Sequence, residues 1–165
     1  MAMLADQVTR FEISAETGSV PGKIEFPFNP KTFSLDRKVK WDDAKVMRQA
    51  YGVLHFTGGD SDSLSFSTIF DNSEEEDCSV LDDVEKLYKL TKPQIKTEDG
   101  GQRPPIIKLT WDKFSFVGVI DGVKIDFTLF SEKGEPARAE VTVQMTGRAF
   151  SKKDDAKHFL SPTID

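Results

Sequence analysis

Apolar residues recur at every second position along most of this chain. That is the period of a pleated strand with one dry face and one wet face. Phe11 and Ile13 alternate with Arg10, Glu12 and Ser14. Ile24, Phe26 and Phe28 alternate with Lys23, Glu25 and Pro27. Phe33, Leu35, Val39 and Trp41 share a parity opposite Ser34, Asp36, Lys38 and Lys40, with Arg37 breaking the apolar series at a predicted bulge or sheet edge. Leu64, Phe66 and Phe70 alternate with Ser63, Ser65 and Ser67.

The second half predicts a four-stranded antiparallel meander over 106–146. Its first strand carries Ile107, Leu109 and Trp111, and Asp112-Lys113 separates it from Phe114, Phe116 and Ile120. Asp121-Gly122 is a two-residue signature of a type I′ turn, whose positions need positive φ. The return strand shows Val123, Ile125, Phe127 and Leu129 against Lys124, Asp126 and Thr128. After a loop at 131–136, Ala137, Ala139, Val141, Val143 and Met145 alternate with Arg138, Glu140, Thr142 and Gln144. One helix is predicted over 79–90, from the helical spacing of Val80, Leu81, Val84, Leu87 and Tyr88. Ser79 is its expected N-cap with Asp82 three residues on, and Pro93 limits its continuation. Segments 42–60 and 94–105 read as loops. The expected organisation is a β domain over 1–147 followed by a polar tail over 148–165. The fold class is mainly β, a barrel or sandwich with one flanking helix.

Composition narrows the function. The chain has 165 residues and a net charge of −6, which suits one domain. That charge argues against nucleic acid, since phosphate neutralisation needs clustered Lys and Arg, and against an anionic membrane surface. Thirteen Phe against two Tyr and two Trp place the aromatic residues in a sheet core, with Trp111, Phe114 and Phe116 assigned there. The single cysteine, Cys78, forms no internal disulfide. No signal-like segment opens the chain, so synthesis and assembly in the cytoplasm are expected.

No catalytic constellation emerges. The candidate bases are His55 and His158, and neither neighbours a nucleophile motif. Asp60, Asp62, Asp71 and the run Glu74-Glu75-Glu76-Asp77 lack the spacing of a calcium loop. Carboxylates beside Cys78 disfavour its thiolate. Gly58-Gly59 and Gly100-Gly101 lack the Lys-Ser/Thr of a phosphate loop and read as turn glycines. No enzyme activity, metal or cofactor is expected. A ligand cavity inside a closed barrel is an alternative use of the Phe-rich faces.

An ordered set of segments goes further. Lys23-Ile24-Glu25-Phe26-Pro27-Phe28-Asn29-Pro30, then Phe33-Ser34-Leu35, is followed by Leu64-Ser65-Phe66-Ser67-Thr68-Ile69-Phe70-Asp71, then by the helix ending at 84–90. Pro104-Pro105-Ile106-Ile107-Lys108-Leu109-Thr110-Trp111 and Phe114-Ser115-Phe116-Val117-Gly118-Val119-Ile120 come next. Thr128-Leu129-Phe130 and Gly134-Glu135-Pro136-Ala137-Arg138-Ala139 complete it. Over roughly residues 20–147 this order resembles the tube-type domain of contractile, phage-tail-like injection systems.

The resemblance implies a tube-like β fold in the baseplate hub, acting as a ring that adapts the inner tube to the spike. It implies as partners further copies of the chain in a hexamer, inner tube proteins, the spike or hub protein, and other baseplate or sheath proteins. The particle would be released or membrane-docked. Such adaptors often carry a C-terminal LysM domain. This sequence ends after Ser161-Pro162-Thr163, about where that module is expected to begin, so the resemblance is to a LysM-lacking variant whose tail docks directly. Candidate interface residues are Asn29, Pro30 and Arg138, which carry the motif match, and Trp41 and Tyr51, which flank the long 42–60 segment. The alternatives are an inner tube protein of the same machine and a monomeric ligand-binding barrel.

Overall fold

The structure is a computed structural model that describes residues 10–15, 23–26, 29–45, 47–48, 50–77 and 79–150. Eleven strands and one helix follow in order. They are β1 (Glu12–Ala15), β2 (Lys23–Glu25), β3 (Thr32–Asp36), β4 (Val39–Ala44), β5 (Val53–Gly59), β6 (Asp62–Asp71), α1 (Leu81–Lys89), β7 (Ile95–Lys96), β8 (Gln102–Arg103), β9 (Ile107–Trp111), β10 (Phe114–Phe130) and β11 (Pro136–Ala149). Seven strands form one sheet in the order β2-β1-β9-β10-β11-β6-β3, and β4-β5 and β7-β8 are separate two-stranded ribbons.

The large sheet makes a sandwich by curling over its own core. β1 and β6 lie four places apart, a flat separation of about 19 Å at ordinary strand spacing. Yet the rings of Phe11, beside β1, and Phe66, in β6, are 4.7 Å apart. Phe26 meets Phe66 at 5.8 Å and Phe70 at 5.5 Å, and Phe33 meets Phe114 at 5.1 Å. These tilted and edge-on contacts suit aromatic quadrupoles. Phe11, Ile13, Phe26, Phe66, Leu109, Phe116 and Val143 are fully buried. No sheet closes on itself among the described residues. The architecture is therefore the sandwich, not the closed barrel.

β10 and β11 approach unusually closely at a pair of facing glycines. Gly118 stands opposite Gly147. A Cβ on Gly118 would lie 2.7 Å from the Gly147 Cα, and one on Gly147 would lie 2.5 Å from the Gly118 Cα. Close backbone approach, not positive φ, requires glycine at both positions. Just beyond, the register slips between Ile120 and Gly122.

That slip corrects the predicted meander. Asp121-Gly122 is not a turn. β10 runs through it without reversing, and Asp121 is the extra residue of a β-bulge opposite β11. The predicted meander over 106–146 thus has three strands, β9, β10 and β11, not four. Asp112-Lys113 does make a hairpin, with Asp112 at φ 52°. The apolar series from Phe33 to Trp41 is two strands in two sheets, parted at Arg37-Lys38. The predicted loop over 42–60 is mostly strand, because β4 and β5 pair through Ala44↔Val53 to Val39↔Gly59. The 94–105 segment contains the short β7-β8 ribbon.

Helix α1 stands where its spacing predicts. Val80, Val84, Leu87 and Leu90 form its buried stripe. Its acidic first turn, Asp82 and Asp83, and basic last turn, Lys86 and Lys89, complement the helix dipole. Val80 occupies the N-cap position. Ser79 Oγ accepts from the Leu81 N–H at 3.3 Å, so the expected Ser79 cap is displaced by one residue. The Val80 N–H donates to Pro136 O at 2.9 Å, which ties the helix start to β11.

Candidate assembly surfaces

β4 and β5 form an arm that leaves the end of the sheet where β3 finishes and β6 begins. Register pairs put Trp41 and Phe56, then Asp43 and Leu54, on one face of this arm, and Asp42 and His55 on the other. Trp41 is 56% exposed and Phe56 62%, and their rings meet edge-on at 5.5 Å. Leu54, Val39, Met47 and Tyr51 are exposed beside them. A lone two-stranded ribbon is marginal in water, and one that shows this much aromatic surface needs a cover.

A second surface lies at the opposite end of the strands. β9 covers β10 only over Phe114–Gly118. From Val119 onward the same edge of β10 has no strand beside it among the described residues. Unpaired edges template further pairing. Val123 and Ile125 pack against the core; Phe127 continues their face but is exposed, and Leu129 and Phe130, beyond a second register slip near the β10-β11 turn, are exposed too. At the other margin of the sheet, β3 pairs only with β6 among the described residues.

The wet face of the sheet between these edges carries short hydroxyls. Ser67 and Thr142 stand opposite each other in the register and share a hydrogen bond of 2.9 Å. Near the β10-β11 turn, Arg138 Nη2 and Nε lie 2.8 and 2.9 Å from Asp71 Oδ2. Ser73, through its hydrogen bonds, and then Arg138 pull the Asp71 carboxyl down from 3.8 to about 2. At the outer strands, Lys23 bridges Glu12 at 2.7 Å and Glu25 at 3.1 Å, and these two hydrogen bonds raise its pKa.

The five predicted interface residues do not form one site. Trp41 lies in the arm, and Tyr51, 86% exposed, lies between its strands just before β5. Asn29 is exposed and Pro30 half-buried, both ahead of β3. The Arg138 guanidinium is engaged by Asp71 of its own chain. His55 is exposed on the arm, whereas His158, Cys78 and nearly all of the predicted tail lie outside the described residues. Sequence reasoning missed Leu54, Phe56, Phe127, Leu129 and Phe130 as surface residues. The alternation Leu54-His55-Phe56 is the signal that marks β5. Among the described residues, no group of three or more His, Cys, Asp or Glu is placed to hold a metal ion, and no helix is long and apolar enough to cross a membrane.

The described residues thus form a curled, open β sandwich with an exposed aromatic arm and a sheet edge that has no strand beside it, two features that favour contact with other chains. The model of the family described as contractile injection system tube protein matches residues 6–156. The chain belongs to that family. No curated protein matches it. Among solved structures, it is similar to a chain in the cryo-EM structure of the anti-feeding prophage baseplate, 6-fold symmetrised. That match has 9% identity and a TM-score of 0.46, and covers 86% of this chain and 91% of that one.

Proposed function

We propose that this contractile injection system component forms a ring in the baseplate hub and adapts the inner tube to the spike. The observation that carries the reading is the arm. Trp41, Leu54 and Phe56 are held on one face of a ribbon that projects from the sheet end, with more than half of each side chain in water. Such aromatic anchors contribute most of the energy of an interface when buried at its centre.

Ring closure would use the sheet margins. β10, β11, β6 and β3 alternate in direction. Rotation about an axis along the strands preserves the direction of each copy. It would therefore bring the β3 of one copy antiparallel to the free edge of β10 in the next. Phe33 and Leu35 would then continue the apolar face of Val123, Ile125 and Phe127, while Ser34 and Asp36 would continue the polar face of Lys124 and Asp126. A hexamer, with tube proteins on one side and the spike on the other, follows from the family resemblance.

The test is native mass measurement of the purified chain, alone and with the tube and spike proteins of its own system. A closed ring, or incorporation only between those two partners, is expected. A persistent monomer that binds neither would overturn the reading. Long stacked tubes from this chain alone would favour the second reading, an inner tube protein. The apolar surfaces at both ends of the strands suit that reading too.

A further inference from the structure

Asp62 is the only carboxylate buried among the described residues, at 4% exposure. It sits where β6 begins and stands opposite Gly147. β11 runs two residues further, to Ala149, past the point where β6 has left for the arm. Asp62 Oδ2 accepts the Ala149 N–H at 3.0 Å, so the carboxylate replaces the carbonyl that a longer β6 would have offered. Its other oxygen, Oδ1, lies 3.8 Å from Arg37 Nε, in the linker between β3 and β4. A buried charge is tolerated only when partnered, and both partners here belong to segments that meet at the arm's root.

The arm's two linkers are otherwise held lightly. The Asp60 N–H donates to Lys38 O at 3.1 Å, and Lys40 pairs with Asp60 at 2.8 Å in solvent. A hollow of about 370 Å3 lies between the root and the sheet. Val39, Phe56 and Gly59 line it on one side, and Asp62, Arg148 and Ala149 on the other. The ribbon therefore leaves the sheet without packing down on it, and the hollow leaves space for it to swing.

We infer that Asp62 is the anchor that sets the angle at which the aromatic arm leaves the sheet, acting through Arg37. The arm is a hinged element whose pivot is Arg37-Lys38 on one strand and Asp60-Ser61 on the other. Loss of the Arg37–Asp62 contact frees the arm while the sheet stays intact. This concerns the chain by itself and holds whether the protein is an adaptor or a tube subunit.

The experiment is hydrogen–deuterium exchange on the full chain, comparing wild type with Asp62→Asn, Arg37→Ala and the double variant. Asn keeps an acceptor for the Ala149 N–H but removes the charge, and Arg37 is exposed, so its removal leaves the core unchanged. Amides of β4 and β5 are expected to exchange about two- to fivefold faster in each single variant, the loss an ion pair with one exposed partner supports. The double variant should be no faster than either single one, since both remove the same contact. Amides in the β6-β11 ladder should keep their wild-type rates. Unchanged arm exchange would overturn the inference, as would additive effects or equal acceleration of every strand, which would make Asp62 only a general stabiliser.

Discussion

Replacing Gly147 with alanine tests the close approach of β10 and β11. The added methyl would press into the carbonyl oxygen of Val117 and lie 2.8 Å from the Val117 carbonyl carbon. Its neighbours are backbone atoms of a paired strand, so no side chain can rotate away. β10 and β11 must part locally, weakening about two or three ladder hydrogen bonds worth ~1 kcal/mol each. With some added strain, the expected cost is about 2–4 kcal/mol. For a chain of this size that corresponds to a melting temperature lower by roughly 5–15 °C. Gly118→Ala should cost a similar amount, since its methyl would meet Thr146 and Gly147 backbone. The double variant should cost less than the sum, because one widening of the strands admits both methyls. Gly122→Ala is the control. Its nearest neighbour is Gln144 Oε1 at 3.9 Å, and its φ is not positive, so it should stay within about 0.5 kcal/mol of wild type. Urea denaturation monitored by tryptophan fluorescence reads all four. A cost for Gly147→Ala below about 0.5 kcal/mol would refute the close approach, and a large cost for Gly122→Ala would restore a turn at that position.

Three further outcomes follow from the same geometry. The Asp71 carboxyl holds its charge to lower pH folded than unfolded, so its stabilising effect is complete above about pH 4 and fades as pH falls toward 2. Asp71→Asn should therefore be less stable than wild type at pH 7, with the gap closing in acid, as thermal melts across pH 2–7 would show. Trp41→Ala and Phe56→Ala should each change monomer stability by less than about 1 kcal/mol, because what they lose is one exposed cross-strand pair. Pull-down with the tube and spike proteins should nevertheless be lost. Phe66→Ala, at the centre of the ring cluster, should cost about 3–5 kcal/mol in chemical denaturation.

Much of the core was legible because burial and parity coincide. Leu64, Phe66 and Phe70 on β6, and Ala139 to Met145 on β11, are buried as their alternation requires. The bulge was not legible, for a definite reason. Core positions on β10 switch from even, at Phe116, Gly118 and Ile120, to odd, at Val123 and Ile125. A two-residue turn and a one-residue bulge shift the parity identically, and only the position of β11 separates them. The arm was hidden differently. Both of its faces are exposed, so no buried series stands out between Asp42-Asp43 and Gly58-Gly59. Of the exposed aromatic residues, Trp41 stands out in the sequence by its size and setting. Alternation places Phe127 and Leu129 on the apolar side of a strand, yet they are exposed, because periodicity shows which face a residue shares and not whether another layer covers it.

The dissimilar ends of the long strands have a geometric consequence. A symmetric end-to-end dimer would have to set like against like, either arm on arm or one Phe127–Phe130 margin on the other, and would leave the unlike end bare on both outer sides. A contact between unlike ends could instead repeat at every joint and would give the resulting stack a front and a back. Copies joined that way would always leave one end of each kind uncovered, so only a partner of a different shape could finish the series.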